Sequence, residues 1–257
     1  MSQTILRTEN LYVSIAGLPI CRALDLTIES GQCWAILGRN GAGKTTLLHT
    51  LAGLRSPDAG RILLEDTPLA TLPRRAIAQR IGVLFQETDA TFPGTVLEQA
   101  LLGRHPWLGR WQWEGPSDHA LAVEALRQVD LSALQDRQVG TLSGGERQRL
   151  ALATLITQVP RLLLLDEPNN HLDLHHQITL LDLLCRQARQ HKTAVMMIVH
   201  DVNLALRFCS HLLLLFGDGE TQQGPALQVA TSETLSRLYR QPITRLDGPH
   251  GPVFVPQ

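Results

Sequence analysis

The residues best suited to chemistry lie in the run Gly38-Arg39-Asn40-Gly41-Ala42-Gly43-Lys44-Thr45. It fits G-x-x-x-x-G-K-[ST], the spacing of a loop that cradles phosphates. Glycines let backbone N–H groups turn inward around a β-phosphate, and a helix starting at the loop adds positive potential there. Lys44 has the reach for β- and γ-phosphates, the Thr45 hydroxyl suits Mg²⁺, and Thr46 follows in the first helical turn. A glycine turn with a solvated lysine would share the spacing. It would not need the apolar strand Gln32–Leu37 before it and the apolar helical stretch Lys44–Leu51 after it.

Two further clusters carry chemistry. Leu162–Leu165 is a buried-type strand ending in Asp166 and Glu167. A carboxylate at the C-terminal end of such a strand lies where open α/β sheets bind ligands, so Asp166 suits the Mg²⁺ shell. Glu167 suits a general base that orients or deprotonates an attacking water. Upstream stands Leu142-Ser143-Gly144-Gly145-Glu146-Arg147-Gln148. Ser143 with Glu146 three residues on makes a capping box, and Gly144 and Gly145 leave the helix start bare enough to approach a phosphate.

These groups need a scaffold, and the pattern supplies one. Asn10–Ala16, Ala23–Ile28 and Gln32–Leu37 alternate as short strands, with Gly17, Pro19 and Gly31 at the turns. Arg61–Leu64 and Ile81–Phe85 read as further strands. From about residue 88 to 158 the pattern is helical, with a stripe at Leu121, Ala122, Ala125, Leu126 and Val129 behind a start at Pro116-Ser117. Leu162–Asp166, Ala194–Val199 and Leu212–Phe216 are continuous apolar strands, the first two with helices between them. This indicates an α/β fold whose parallel sheet is covered on both faces. The spacing predicts one domain over 1–257, with a core at 1–87 and 159–217, a helical subdomain at about 88–158 and a less patterned appendage at 218–257.

Composition narrows the classes. A formal net charge of −1 gives no pull toward nucleic acid or anionic lipid. The apolar runs are all far short of the roughly 18 residues of a membrane-spanning helix, and the N-terminus shows no secretory pattern. Any membrane association is therefore expected through a partner. Cys21, Cys33, Cys185 and Cys209 have no zinc-ligand or C-x-x-C spacing and read as buried small hydrophobes.

The phosphate loop, the strand-end acids and LSGGERQR in this order resemble the ATP-binding subunits of ABC transporters. The resemblance covers residues 3–240. It implies a P-loop NTPase (RecA-like) core with an N-terminal antiparallel β subdomain and an inserted α-helical subdomain, and it implies ATP and Mg²⁺. By the same resemblance Gln86 matches the glutamine that joins the Mg²⁺ and water region to the membrane partner. His200 matches the histidine that contacts the γ-phosphate. Asn170–Asp173 matches the loop that crosses the dimer, and Tyr12 matches an aromatic that stacks on adenine. Two positions depart: Arg39 stands for a common proline, and Asn169 for a common threonine.

One phosphate loop and one signature per chain imply a head-to-tail homodimer, with Ser143–Glu146 of one copy completing the site of the other. The separate ATPase further implies permease subunits in the membrane, an extracytoplasmic substrate-binding protein acting indirectly, and a place on the cytoplasmic face. The stretches 92–96, 103–106, 166–177 and 200–206 resemble importers of metal chelates: ferric siderophores, haem or cobalamin. Trp107, Trp111 and Trp113 are expected to meet the permease or to pack internally. A soluble ABC ATPase of the iron–sulfur assembly kind has the same layout and stays open. A GTPase is excluded by the lack of N-K-x-D, and a small-molecule kinase would leave LSGGE unexplained.

Overall fold

Period-2 alternation builds the first sheet. The computed structural model describes residues 3–85, 93–169, 172–248 and 251–257. Strand β1 (Thr4–Ile15) buries Ile5, Leu6, Leu11 and Val13 and turns Tyr12 and Ile15 outward. β2 (Leu18–Leu24) and β3 (Thr27–Glu29) pair with it antiparallel. The chain then enters β4 (Cys33–Gly38), all of it buried, and α1 (Lys44–Leu51). β5 (Ala59–Leu64) and β6 (Thr67–Pro68) return to the first sheet, whose order is β2-β1-β5-β6. α2 (Arg74–Ala78) leads to β7 (Ile81–Leu84).

A helical layer follows: α3 (Val96–Leu101), α4 (Pro116–Gln128) and α5 (Gly144–Gln158). Each is started by a side chain that satisfies otherwise orphaned N–H groups. The Glu98 carboxylate accepts from Thr95 N at 2.7 Å, and Thr95 Oγ1 accepts from Glu98 N at 3.3 Å. Asp118 does the same for Gly115 N at 2.9 Å, with Pro116 at the first helical position. The stripe expected on α4 is narrower than read: Ala122, Ala125, Leu126 and Val129 are buried, whereas Leu121 is exposed. It sits at the rim of a groove between α4 and the end of α5, which its helical phase alone does not reveal.

The remaining chain alternates strand and helix: β8 (Leu162–Leu165), α6 (Leu174–His191), β9 (Ala194–Ile198), α7 (Val202–Phe208) and β10 (His211–Leu215). It ends in β11 (Thr221–Pro225), α8 (Ala226–Val229), α9 (Ser232–Tyr239) and the hairpin of β12 (Ile243–Gly248) with β13 (Gly251–Pro256). The second sheet has the order β11-β10-β4-β9-β8-β7, parallel throughout except for β11. β11 therefore extends the main sheet, although its sequence Thr-Gln-Gln-Gly-Pro shows no apolar alternation.

The parallel sheet divides the interior in two. Cys33, Ala35 and Leu37 of β4 face the core shared with α3–α7, while Trp34 and Ile36 face the core shared with α1 and the first sheet. β8, β9 and β10 alternate in the same way, with Leu163, Val195 and Leu212 on the first side and Leu164, Met196 and Leu213 on the second. Burial of each large aliphatic side chain is worth roughly 1.5–3 kcal/mol, so both faces of every central strand stabilise the fold. All four cysteines are free and buried in these cores, as their spacing predicted. Among the described residues no helix is long and apolar enough to cross a membrane.

The helical layer is held together at Gly103 and Arg104, in the turn that follows α3. The Arg104 guanidinium meets Asp118 at 2.7 Å with both side chains largely buried, and also donates to Thr157 O at 3.1 Å. A Cβ on Gly103 would lie 2.1 Å from Thr154 O of α5, a clash with backbone rather than with a flexible tip. Gly103→Ala is expected to cost roughly 1–3 kcal/mol, read as a lower urea midpoint at unchanged slope. An unchanged midpoint would mean that α5 moves aside freely.

Candidate functional site

The site is assembled at the C-terminal ends of β4, β8 and β9, where the sheet's loops converge. β4 stops at Gly38 because nothing larger fits: a Cβ there would lie 2.7 Å from Leu215 O on β10. The loop then turns through Gly41 (φ 80°) and Gly43 (φ 87°), and a Cβ on Gly43 would also strike Ile20 at 2.5 Å. Ala42 anchors the loop by burying its methyl in the core of the first sheet. Arg39, Asn40 and Gly41 are exposed. Lys44 opens α1 almost fully buried, donating to Gly38 O at 2.9 Å and Arg39 O at 3.2 Å. Burial lowers its pKa, while Glu167 and Asp166 pull it back up.

Asp166 follows β8, held by its N–H to Leu84 O at 2.9 Å, and is 1% exposed. Neither carboxylate oxygen has a hydrogen-bond partner of normal geometry among the described residues. Burial raises its pKa; the neighbouring Thr45 hydroxyl, His49 and Lys44 favour the charged form, and Glu167 opposes it. A buried anion without a partner is costly, so the pair Thr45 and Asp166 has the chemistry of a divalent-cation seat. Glu167 adopts a left-handed φ of 49°, a conformation that costs a non-glycine residue about 1–2 kcal/mol. That turn aims its carboxylate at His200, whose Nε2 lies 2.6 Å from Glu167 Oε1. The neighbouring sheet strands bring these two residues together across 33 positions of sequence.

Together these groups line an open cleft of about 450 Å³ bounded by Ile15, Asn40, Gly41, Gly43, Lys44, Thr45, Thr46, Glu167 and His200. Tyr12 does not line it. Tyr12 pairs with Ala59 of β5, and the β1 residue that reaches the cleft is Ile15, close to the turn into β2. An exposed isoleucine at the strand end is the signal in the sequence for this position, and it is weaker than an aromatic ring. Gln86 lies outside the described residues.

Ser143, Gly144, Gly145 and Glu146 also lie outside this cleft, at the exposed start of α5. Their capping box is complete, with Ser143 N donating to Glu146 Oε2 at 2.7 Å and Glu146 N to Ser143 Oγ at 3.3 Å. A Cβ on Gly144 would meet only open space, so this helix start is bare on its outer side. Asp173 caps α6, accepting from His176 N at 2.9 Å and meeting His176 Nδ1 at 2.8 Å, and it too is exposed. One chain thus carries a phosphate cleft and a separate, outward-facing signature.

The fold and cleft are those of a P-loop ATPase of the ATP-binding cassette kind. Residues 21–170 match the family described as ABC transporter, and the chain belongs to that family. It is 40% identical over 243 residues to the hemin import ATP-binding protein HmuV of Myxococcus xanthus, covering 91% of this chain and 90% of that one. It is 35% identical to the ferric enterobactin transport ATP-binding protein FepC of Escherichia coli, covering 98% and 93%. Among solved structures, an inward-facing metal-chelate type ABC transporter superposes with a TM-score of 0.86 at 29% identity, covering 99% of this chain and 98% of that one.

Lys44→Ala removes the only side-chain ammonium among the described residues of the cleft lining. ATP affinity is expected to fall at least about tenfold, the scale set by losing a charge-assisted contact. Equilibrium binding of a fluorescent ATP analogue measures it, and wild-type affinity would remove the loop as the phosphate seat.

Proposed function

We propose that this chain is the ATP-hydrolysing subunit of an importer of metal chelates, working as a homodimer beneath a permease. The observation that carries the dimer is the separation of the two halves of the site. The cleft holds the phosphate loop, Glu167 and His200, while Ser143–Glu146 present a capped, bare helix start to the outside. A second copy placed head to tail brings that positive helix end to the γ-phosphate of ATP bound in the first. Two nucleotides then lie between the copies, with Asp173 in the loop that crosses between them. Hydrolysis removes the bridging phosphate and releases the pair, a two-state closure that serves as the mechanical stroke.

Within each site Gly38, Arg39, Asn40, Gly41, Ala42 and Gly43 shape the loop, Lys44 neutralises phosphate charge, and Thr46 stands at the helix start. Thr45 and Asp166 would hold Mg²⁺, because Asp166 is a buried carboxylate with no hydrogen-bond partner of normal geometry among the described residues, and the resemblance adds Gln86 to that set; the ion would supply neutralisation of charge on the transferring phosphate. Glu167 takes up or orients the proton of the attacking water, and His200 holds that carboxylate in place and senses the γ-phosphate. Ile15 supplies an aliphatic wall for the base, with Tyr12 flanking it at a greater distance along β1.

The cargo class rests on the relatives. Those named above import hemin and ferric enterobactin, which favours iron chelates over cobalamin within the class that the resemblance implies. Trp111 and Trp113, 88% and 85% exposed, together with the less exposed Trp107, are the surface offered to the permease. Association with the cytoplasmic face of the membrane is then peripheral, and the substrate-binding protein acts through the permease.

Glu167→Gln is expected to bind ATP normally, to hydrolyse it at least about a hundredfold more slowly, and to elute as a dimer in MgATP but not in ADP. Rapid turnover in that variant would remove Glu167 as base. Affinity purification of the tagged chain from detergent-solubilised membranes is expected to recover a multi-span permease in equal amount. Recovery of soluble partners alone would overturn the importer reading and leave the ATPase.

A further inference from the structure

His200 is held from two sides, and only one of them is the sheet. β9 ends at Ile198, and the backbone hydrogen bond to the sheet next to His200, Val199 N to Ile36 O, is long at 3.4 Å. Beyond His200 the backbone is fixed by Asp201, which caps α7 by accepting from Asn203 N at 2.7 Å and Leu204 N at 3.2 Å. The placement of His200 therefore depends on where the first turn of α7 is held.

That turn is tied to the C-terminal hairpin. The Asn203 side-chain amide donates to Phe254 O at 3.0 Å and accepts from Phe254 N at 2.8 Å, satisfying both backbone groups of one β13 residue. It thus takes the part of a third strand beside a two-stranded ribbon. The hairpin is itself anchored. Phe254 is 3% exposed within the helix-side core, and Tyr239 and Ile243 pack against that core. Ser236 Oγ accepts from Ile243 N at 2.8 Å, and Arg237 of α9 pairs with Glu220 and lies 4.3 Å over the Phe216 ring at the end of β10.

We propose that Asn203, clamped to Phe254 of the C-terminal hairpin, is a positioning residue that sets His200 against Glu167 for ATP hydrolysis. The hairpin is then part of the hydrolytic machinery, although none of its described residues lines the cleft. At the site, the 2.6 Å contact between His200 and Glu167 tolerates little displacement of the imidazole. The buried Tyr239 hydroxyl has no hydrogen-bond partner among the described residues. Burial and the nearby Asp201 push its pKa up to about 12, so it stays neutral beside the α7 cap.

The proposal rests on the role given to His200, and the test separates the two. Steady-state ATPase is measured for the full-length wild type, Asn203→Ala, His200→Ala and the double variant, with Asn203→Asp as a near-isosteric alternative should the alanine variant not fold. Asn203→Ala is expected to lower kcat about tenfold with KM for ATP changed less than twofold. The double variant is expected to be no slower than His200→Ala alone, since the two changes remove one function. Hydrogen exchange at the first amides of α7 is expected to rise in both Asn203 variants without change in β9. Full activity in both Asn203 variants, or a loss that multiplies with that of His200→Ala, would overturn the clamp and leave His200 in place. Full activity in His200→Ala would overturn the clamp together with its premise.

Discussion

Everything at the site depends on the parallel pairing of β4 between β9 and β10. Six consecutive buried residues leave this strand no freedom to slide, because a shift of one position would exchange the two faces of the sheet. Its end at Gly38 is fixed against the Leu215 carbonyl, so the phosphate loop begins at one point and in one direction. β8 and β9 are locked by the same register, and they deliver Asp166, Glu167 and His200 to the same edge.

That edge is an electrostatic balance. Lys44 is buried among loop carbonyls and faces two carboxylates, one buried and one strained toward a histidine. Each group is costly alone: desolvation pushes the lysine toward neutrality and Asp166 toward protonation. Together they offset one another. A polyanion with its counter-cation would satisfy what the protein leaves open at Asp166, so binding energy is available to order the loop ends.

Much of this was legible in the residues. The phosphate loop, the strand-end acids and the capping box are local patterns, and local geometry decides them: glycines at positive φ, a serine three residues before a glutamate, an apolar strand before an acid. The continuous apolar strands likewise announced a parallel sheet. What was not legible depends on tertiary position. Tyr12 and Ile15 both point outward from β1, and only the twist toward the loop decides which reaches the cleft. Leu121 has the right helical phase but meets a groove rather than a core. β11 pairs through its backbone to an edge that Leu212–Leu215 had already formed, so it needed no apolar pattern of its own. The tie between Asn203 and Phe254 spans 51 positions, beyond what any local pattern encodes.

The alternation of the central strands has a consequence for how such a chain can change over time. Each strand residue reports to one interior compartment, so the side that carries α1 and the phosphate loop is insulated from the side that carries α3–α5. A substitution on the helix side of the sheet, at Leu163, Val195 or Leu212, leaves the packing of Trp34, Ile36 and Met196 in the compartment of α1 and the first sheet untouched. The sheet behaves as a bulkhead: the compartment behind the phosphate loop keeps its packing while the one on the helix side is repacked.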